Sequence, residues 1–140
     1  MIIAVDLDGT AWDENWPDIG RFRPNFIRVM RRLWNEGHLI IINSLRDVGT
    51  EEYDDAVDHL EIKDIKYHKF NENLPGIVDH WGESRKIGAH VYIDDRSCGW
   101  LPDGIPHDWE DIYAMLQSHP LYSEDRTHNE KLHHLLKETV

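Results

Sequence analysis

Apolar residues gather in short unbroken runs separated by polar, turn-rich stretches. Ile2-Ile3-Ala4-Val5 is the first run, and His38-Leu39-Ile40-Ile41-Ile42-Asn43 encloses the second. Runs this short, rich in β-branched residues and without alternation, suit strands buried on both faces of a parallel sheet. Two further strands are predicted over residues 65–68 and 89–93. Between them the apolar spacing becomes helical. Pro24 at a first helical position, Phe26, Met30, Leu33 and Trp34 on one face, and Gly37 beyond predict one helix. Thr50 can cap another carrying Tyr53, Val57 and Leu60, and residues 108–119 predict a third with Trp109, Ile112, Met115 and Leu116 inward. Residues 6–22 read as a loop broken by Gly9, Asn15, Pro17 and Gly20, and residues 69–85 are the least regular part. Thr127-His128-Asn129-Glu130 has the form of a capping box. It predicts a last helix with Leu132, Leu135 and Leu136, packing loosely or on a partner. Strands alternating with helices predict an α/β fold with a parallel sheet covered by helices.

Length and charge narrow the picture. The chain has 140 residues, the size of one domain. Its net charge of −12 works against a protein whose affinity depends on a DNA or RNA phosphate backbone, although a local basic patch would be compatible with it. No apolar run approaches the roughly 20 residues needed to span a bilayer, and the opening segment lacks the basic start of a signal peptide. The single cysteine, Cys98, rules out an internal disulfide and a cysteine-rich zinc site. The expectation is a soluble protein of a reducing compartment, most simply the cytoplasm.

The strand ends carry the chemistry. The first strand runs into Asp6 and Asp8, the second into Ser44 with Arg46 close by, and the fourth into Asp94 and Asp95. In an open α/β sheet, ligands bind at the carboxyl ends of the strands, so these groups would meet at one edge. Four carboxylates there repel one another unless a cation lies between them. A hard divalent ion with oxygen ligands is the natural partner, and Mg²⁺ is the commonest where phosphate is also bound. Asp6 and Asp8, two apart on extended backbone, can face one pocket while Leu7 faces the core. Gly9 permits an unusual backbone conformation and close approach of a ligand.

The segment Asp6-Leu7-Asp8-Gly9-Thr10 after an apolar strand resembles the first motif of the haloacid dehalogenase superfamily of phosphohydrolases. The likeness continues in order through a strand ending at Ser44, a basic Lys86, and a strand ending at Asp94-Asp95. It implies a Rossmann-like catalytic domain over residues 1–119 followed by a tail over 120–140. It also implies a Mg²⁺-dependent phosphatase working through an aspartyl-phosphate. Asp6 would be the nucleophile. Asp8 would protonate the leaving group and then activate water, its backbone carbonyl touching the metal. Ser44 would hold a phosphoryl oxygen, and Lys86 would neutralise charge, with Lys69 as a competitor for that role. Arg46 would be a further phosphate contact. Asp94 would complete the metal site with Asp6, and Asp95 would be a second ligand or a support through water. An acid at the Asp8 position points, within that superfamily, to phosphatases rather than ATPases or dehalogenases. Neither the stretch between Asp8 and Pro24 nor that between Ser44 and Lys86 has room for a separate cap domain, so a capless member is implied. Its open site would admit a large phosphorylated substrate or be covered by another subunit, and the loop over residues 13–23 would be the flap.

Other features read more plainly. An EF-hand wants glycine at its sixth position, and Gly9 stands at the fourth. The ten histidines, including the adjacent His133 and His134, lack metal-ligand spacing and read as solvated. Cys98 reads as a small buried or loop cysteine. Most of the six tryptophans read as core, but Trp12, Trp16 and Trp81 fall in loops and could stack on a ring-bearing substrate. The substrate stays open among small esters, nucleotides, sugar phosphates and polynucleotide 3′-phosphates. Two other classes fit the same residues: a phosphoryl carrier, and a binding module without turnover.

Overall fold

The computed structural model describes residues 1–97 and 108–137, so Cys98 lies outside the described residues. Strand β1 (Ile2–Val5) is followed by helix α1 (Phe26–Asn35), β2 (Leu39–Ile42), α2 (Glu51–Ile62), β3 (Lys69–Phe70), α3 (Pro75–Trp81), β4 (Val91–Ile93), α4 (Trp109–Gln117) and α5 (Arg126–Asn129). A 3₁₀ segment (Glu130–Leu136) closes the described chain. The four strands are all parallel, in the order β3-β2-β1-β4. This is the predicted Rossmann-like α/β fold, without a separate cap among the described residues.

Register decides where the chemistry falls. Val5 stands beside Ile42 on one side and Ile93 on the other, so β2, β1 and β4 end level. The chain steps outward from β1 through β2 to β3, then returns to place β4 on the far side of β1. The order therefore reverses between β1 and β4, the place where an open parallel sheet offers a crevice to a ligand.

Each face of the sheet has its own apolar layer. Ile3, Val5, Ile40, Ile42 and Ile93 pack against Phe26, Val29, Met30 and Leu33 of α1, Ala56 and Leu60 of α2, and Ile112 and Leu116 of α4. Ile2, Ala4, Leu39 and Ile41 meet Leu74 and Ile87, with Leu132, Leu135 and Leu136 packed over them. The closing segment, expected to pack loosely or on a partner, thus covers the second face of its own sheet. Its helical start is capped by Asp125, which accepts from the Thr127 amide, rather than by the Thr127 box.

Several histidines are structural rather than solvated. His38 is fully buried, with Nδ1 2.9 Å from the α-amino nitrogen of Met1 and Nε2 3.2 Å from Glu36. Nδ1 of His68 accepts from the Ile40 amide, and Nδ1 of His90 accepts from the Ile2 amide, so both rings extend the ladder at strand starts. The His68 ring also stacks on Trp34, with centroids 4.4 Å apart. Burial holds His68 down to about 4, and nearby His133 pushes the same way. An amide N–H needs an unprotonated Nδ1, which favours the neutral ring further.

The sign follows from linkage. The folded pKa lies below the unfolded value near 6.5, so this contribution is complete above that pH and is lost as pH falls towards 4. Other groups titrate in the same window, so the readout is a difference. Between pH 7 and pH 4.5 the wild type should lose about 1–2 kcal/mol more stability than His68→Gln, measured by urea unfolding at both pH values. Parallel losses in the two proteins would remove His68 from the account.

Candidate active site

The first strand delivers Asp6 to the crevice, held by its amide to the Ile93 carbonyl at 2.9 Å. The chain then turns tightly, with the Thr10 and Ala11 amides returning to the Leu7 carbonyl and Leu7 itself fully buried. Gly9 sits at φ +85°, and a Cβ there would come within 2.4 Å of an Asp95 carboxylate oxygen. The glycine therefore makes room for Asp95 as well as for the turn.

Three carboxylates converge at this point. Oxygens of Asp6, Asp94 and Asp95 all lie within 4.8 Å of one another. The hydroxyl of Thr10 ties two of them together: it lies 2.8 Å from Asp6 and 3.2 Å from Asp95, and it accepts from the Asp95 amide at 3.0 Å. None of the three forms an ion pair among the described residues. Burial, above all, lifts Asp6 to about 8, with the Asp95 contact and the charges of Asp94 and Asp95 adding to it against the pull of Thr10. A cluster of oxygen donors with no ion-pair partner among the described residues is the kind of set that a hard divalent ion satisfies.

The structure places Asp8 differently from Asp6. Its Oδ2 accepts from Nε of Arg46 at 2.8 Å, and its Oδ1 accepts from Nη2 of Arg46 at 2.7 Å and from the Trp12 indole at 2.9 Å. The Asp8 carboxylate is therefore absent from the three-carboxylate cluster. Arg46 is also corrected. Its guanidinium, fully buried, donates in addition to the carbonyls of Pro17, Asp18 and Glu52. All five of its N–H groups are used, so it has no donor left for a substrate phosphate. It is a clamp that joins the first motif, the 13–23 loop and the start of α2.

One cavity of about 490 Å³ opens over these groups, within the usual range for a small-molecule site. Asp6, Asp8, Ser44 and Asp94 line it, as the spacing predicts. Asp95 stands behind, at Thr10. Asn71 shapes the Ser44 loop by accepting from the Ser44 amide at 2.7 Å and donating to the Arg46 carbonyl at 3.0 Å. Lys86 does not line this cavity. It is exposed, with its ammonium 5.8 Å from the Tyr92 ring, and Lys69 pairs with Glu72. Among the described residues, the cationic residue that lines the cavity is Arg96, whose amide donates to Asp94 at 2.8 Å. Among the loop tryptophans, Trp12 is core, Trp81 lies on a separate depression with Lys86, and Trp16 reaches the cavity.

Thr10 as a ligand-side hydroxyl, Asn71, Arg96 and Glu14 do not stand out in the sequence. Thr10 lies inside the first motif and Arg96 directly after the second acidic pair, so adjacency is their signal. Asn71 carries none beyond its place after a strand.

The fold and site define an α/β protein whose parallel sheet gathers three carboxylates and a serine at its switch point. Among solved structures, a conserved protein from Bacteroides thetaiotaomicron is similar, at 34% identity and a TM-score of 0.71, over 84% of this chain and 89% of that one. The chain belongs to the same family as that conserved protein. No protein-family profile matches the chain, and no curated protein does. Among the described residues, no helix is long and apolar enough to cross a membrane.

Proposed function

We propose that this protein is a Mg²⁺-dependent phosphatase of the haloacid dehalogenase type, cleaving a phosphate monoester through an aspartyl-phosphate on Asp6. The convergence of Asp6, Asp94 and Asp95, unpaired with any cation of the described residues, in a cavity shared with Ser44 and Asp8, carries this reading. Asp6, Asp94 and Asp95 would hold the ion, which supplies charge neutralisation for the carboxylates and the phosphoryl oxygens.

An Asp6 oxygen forms a bond to phosphorus as the bond to the leaving oxygen breaks, and Asp8 supplies the proton that this oxygen takes up. Water then attacks the same phosphorus, Asp8 receives its proton, and Asp6 is released with inorganic phosphate. Within Asp8 the two oxygens are unequal. Oδ1 accepts from two donors and Oδ2 from one, so Oδ2 keeps the lone pair that can carry the proton. Ser44 and Arg96 line the cavity, and the hydroxyl of the one and the guanidinium of the other would meet phosphoryl oxygens there.

The test is phosphate release with Mg²⁺ and with chelator across small esters, nucleotides and 3′-phosphorylated oligonucleotides. Release that disappears with chelator supports the reading, and silence across the panel removes it. Asp94→Asn should raise the Mg²⁺ concentration for half-maximal rate by about tenfold or more and lower kcat as well. An unchanged Mg²⁺ titration in that variant would move the ion elsewhere.

A further inference from the structure

Two large apolar side chains stand open at the mouth of an otherwise polar, acidic cavity. Trp16 is 50% exposed and Leu45 is 81% exposed, and both line it. Scattered exposed apolar residues are ordinary, but a half-exposed tryptophan that lines a cavity and rests on a cation is a different matter. The Arg46 guanidinium carbon lies 4.9 Å from the centre of the Trp16 ring. That guanidinium is itself immobilised by Asp8 and by three backbone carbonyls, two of them on the same loop as Trp16. The indole therefore sits over a fixed cation, is half exposed, and contributes to the cavity lining. Glu14, from the same loop, adds an acceptor at the wall.

Resting on the phosphatase reading above, the geometry points to a substrate class: a phosphate monoester whose alcohol carries a planar, nitrogen-bearing aromatic ring. The phosphate sits at Asp6 and Ser44, the ring stacks on the open part of Trp16 beside Leu45, and Glu14 accepts from a ring or hydroxyl donor. A nucleotide and the phosphate of a smaller heteroaromatic alcohol share this chemistry and differ in the distance from ring to phosphorus.

The experiment compares adenosine 5′-monophosphate and pyridoxine 5′-phosphate with ringless ribose 5-phosphate, in the wild type, Trp16→Ala and Trp16→Phe. The ratio of kcat/KM for a ring-bearing ester to that for ribose 5-phosphate should be about 5- to 100-fold in the wild type. It should collapse towards one in Trp16→Ala and largely return in Trp16→Phe. Whichever aromatic ester shows the larger ratio sets the reach from ring to phosphate. Equal kcat/KM for ringed and ringless esters in the wild type, or a ratio untouched by Trp16→Ala, overturns the platform while leaving the phosphatase standing. Calorimetric titration of the wild type with adenosine and with pyridoxine, which carry no phosphate, gives a reading independent of turnover. If no ester is hydrolysed and yet one of these rings binds at least fivefold more weakly to Trp16→Ala, the platform holds and the phosphatase reading falls. If no ester is hydrolysed and neither ring depends on Trp16, both fall.

Discussion

Asp6→Asn is expected to stop phosphate release, with kcat reduced by about a thousandfold or more, while the protein stays folded and becomes no less stable. The two halves of this result have separate causes. An amide keeps the shape of the carboxylate and can still accept from Thr10, but it is a poor nucleophile towards phosphorus. On the stability side, burial works against the Asp6 carboxylate. Burial and the neighbouring Asp94 and Asp95 raise it to about 8, so in the metal-free protein its ionised form is disfavoured. An asparagine there needs neither a buried charge nor a proton taken up on folding, so that cost disappears in a site where no Lys or Arg of the described residues pairs with the acid. Steady-state phosphate release and thermal unfolding without Mg²⁺ together make the check. A variant that keeps activity within tenfold of the wild type takes Asp6 out of the covalent step. A variant that unfolds shows that the carboxylate is needed for the fold, contrary to the burial argument.

How far the sequence leads depends on whether a feature is local or assembled at a distance. Strands β1 and β2 are legible because an unbroken β-branched run has no other place than a doubly covered sheet. The cap of α2 is legible too, and the Thr50 hydroxyl does accept from the Tyr53 amide at 3.2 Å. The third strand is displaced from the expected 65–68 to Lys69–Phe70, since only two residues reach the ladder of β2 and the apolar pattern before them serves packing. Helix α3 hides in a stretch that looks irregular. Pro75 is a helix starter there rather than a breaker, and Gly76 lets the closing segment approach, since a Cβ would meet Leu135 at 2.7 Å. At the site, the carboxylates follow from strand ends and register. The positions of Arg46 and Lys86 do not, because spacing along the chain says nothing of which donor a buried acceptor captures.

Arg46→Met should be the most destabilising of the substitutions discussed, lowering unfolding free energy by about 3–5 kcal/mol. Methionine replaces much of the stem and none of the five donors. Asp8, its side chain only 13% exposed, loses two of its three hydrogen bonds, and the carbonyls of Pro17, Asp18 and Glu52 lose their Arg46 donors. Arg46→Lys should recover little, because one ammonium cannot span both carboxylate oxygens and reach three carbonyls at fixed angles. The informative comparison is the double variant Arg46→Met with Asp8→Asn. Much of the loss comes from leaving a charge without its partner, so neutralising Asp8 should restore a measurable part of the stability, on the order of 1 kcal/mol or more. Activity should not return with it, since the proton carrier is then gone. Urea unfolding of the two single variants and the double variant gives the coupling directly. A substrate-binding arginine would behave otherwise: KM would rise in Arg46→Met with stability unchanged. That pattern would return Arg46 to the phosphate and dissolve the clamp, along with the rigid seat it provides for Trp16.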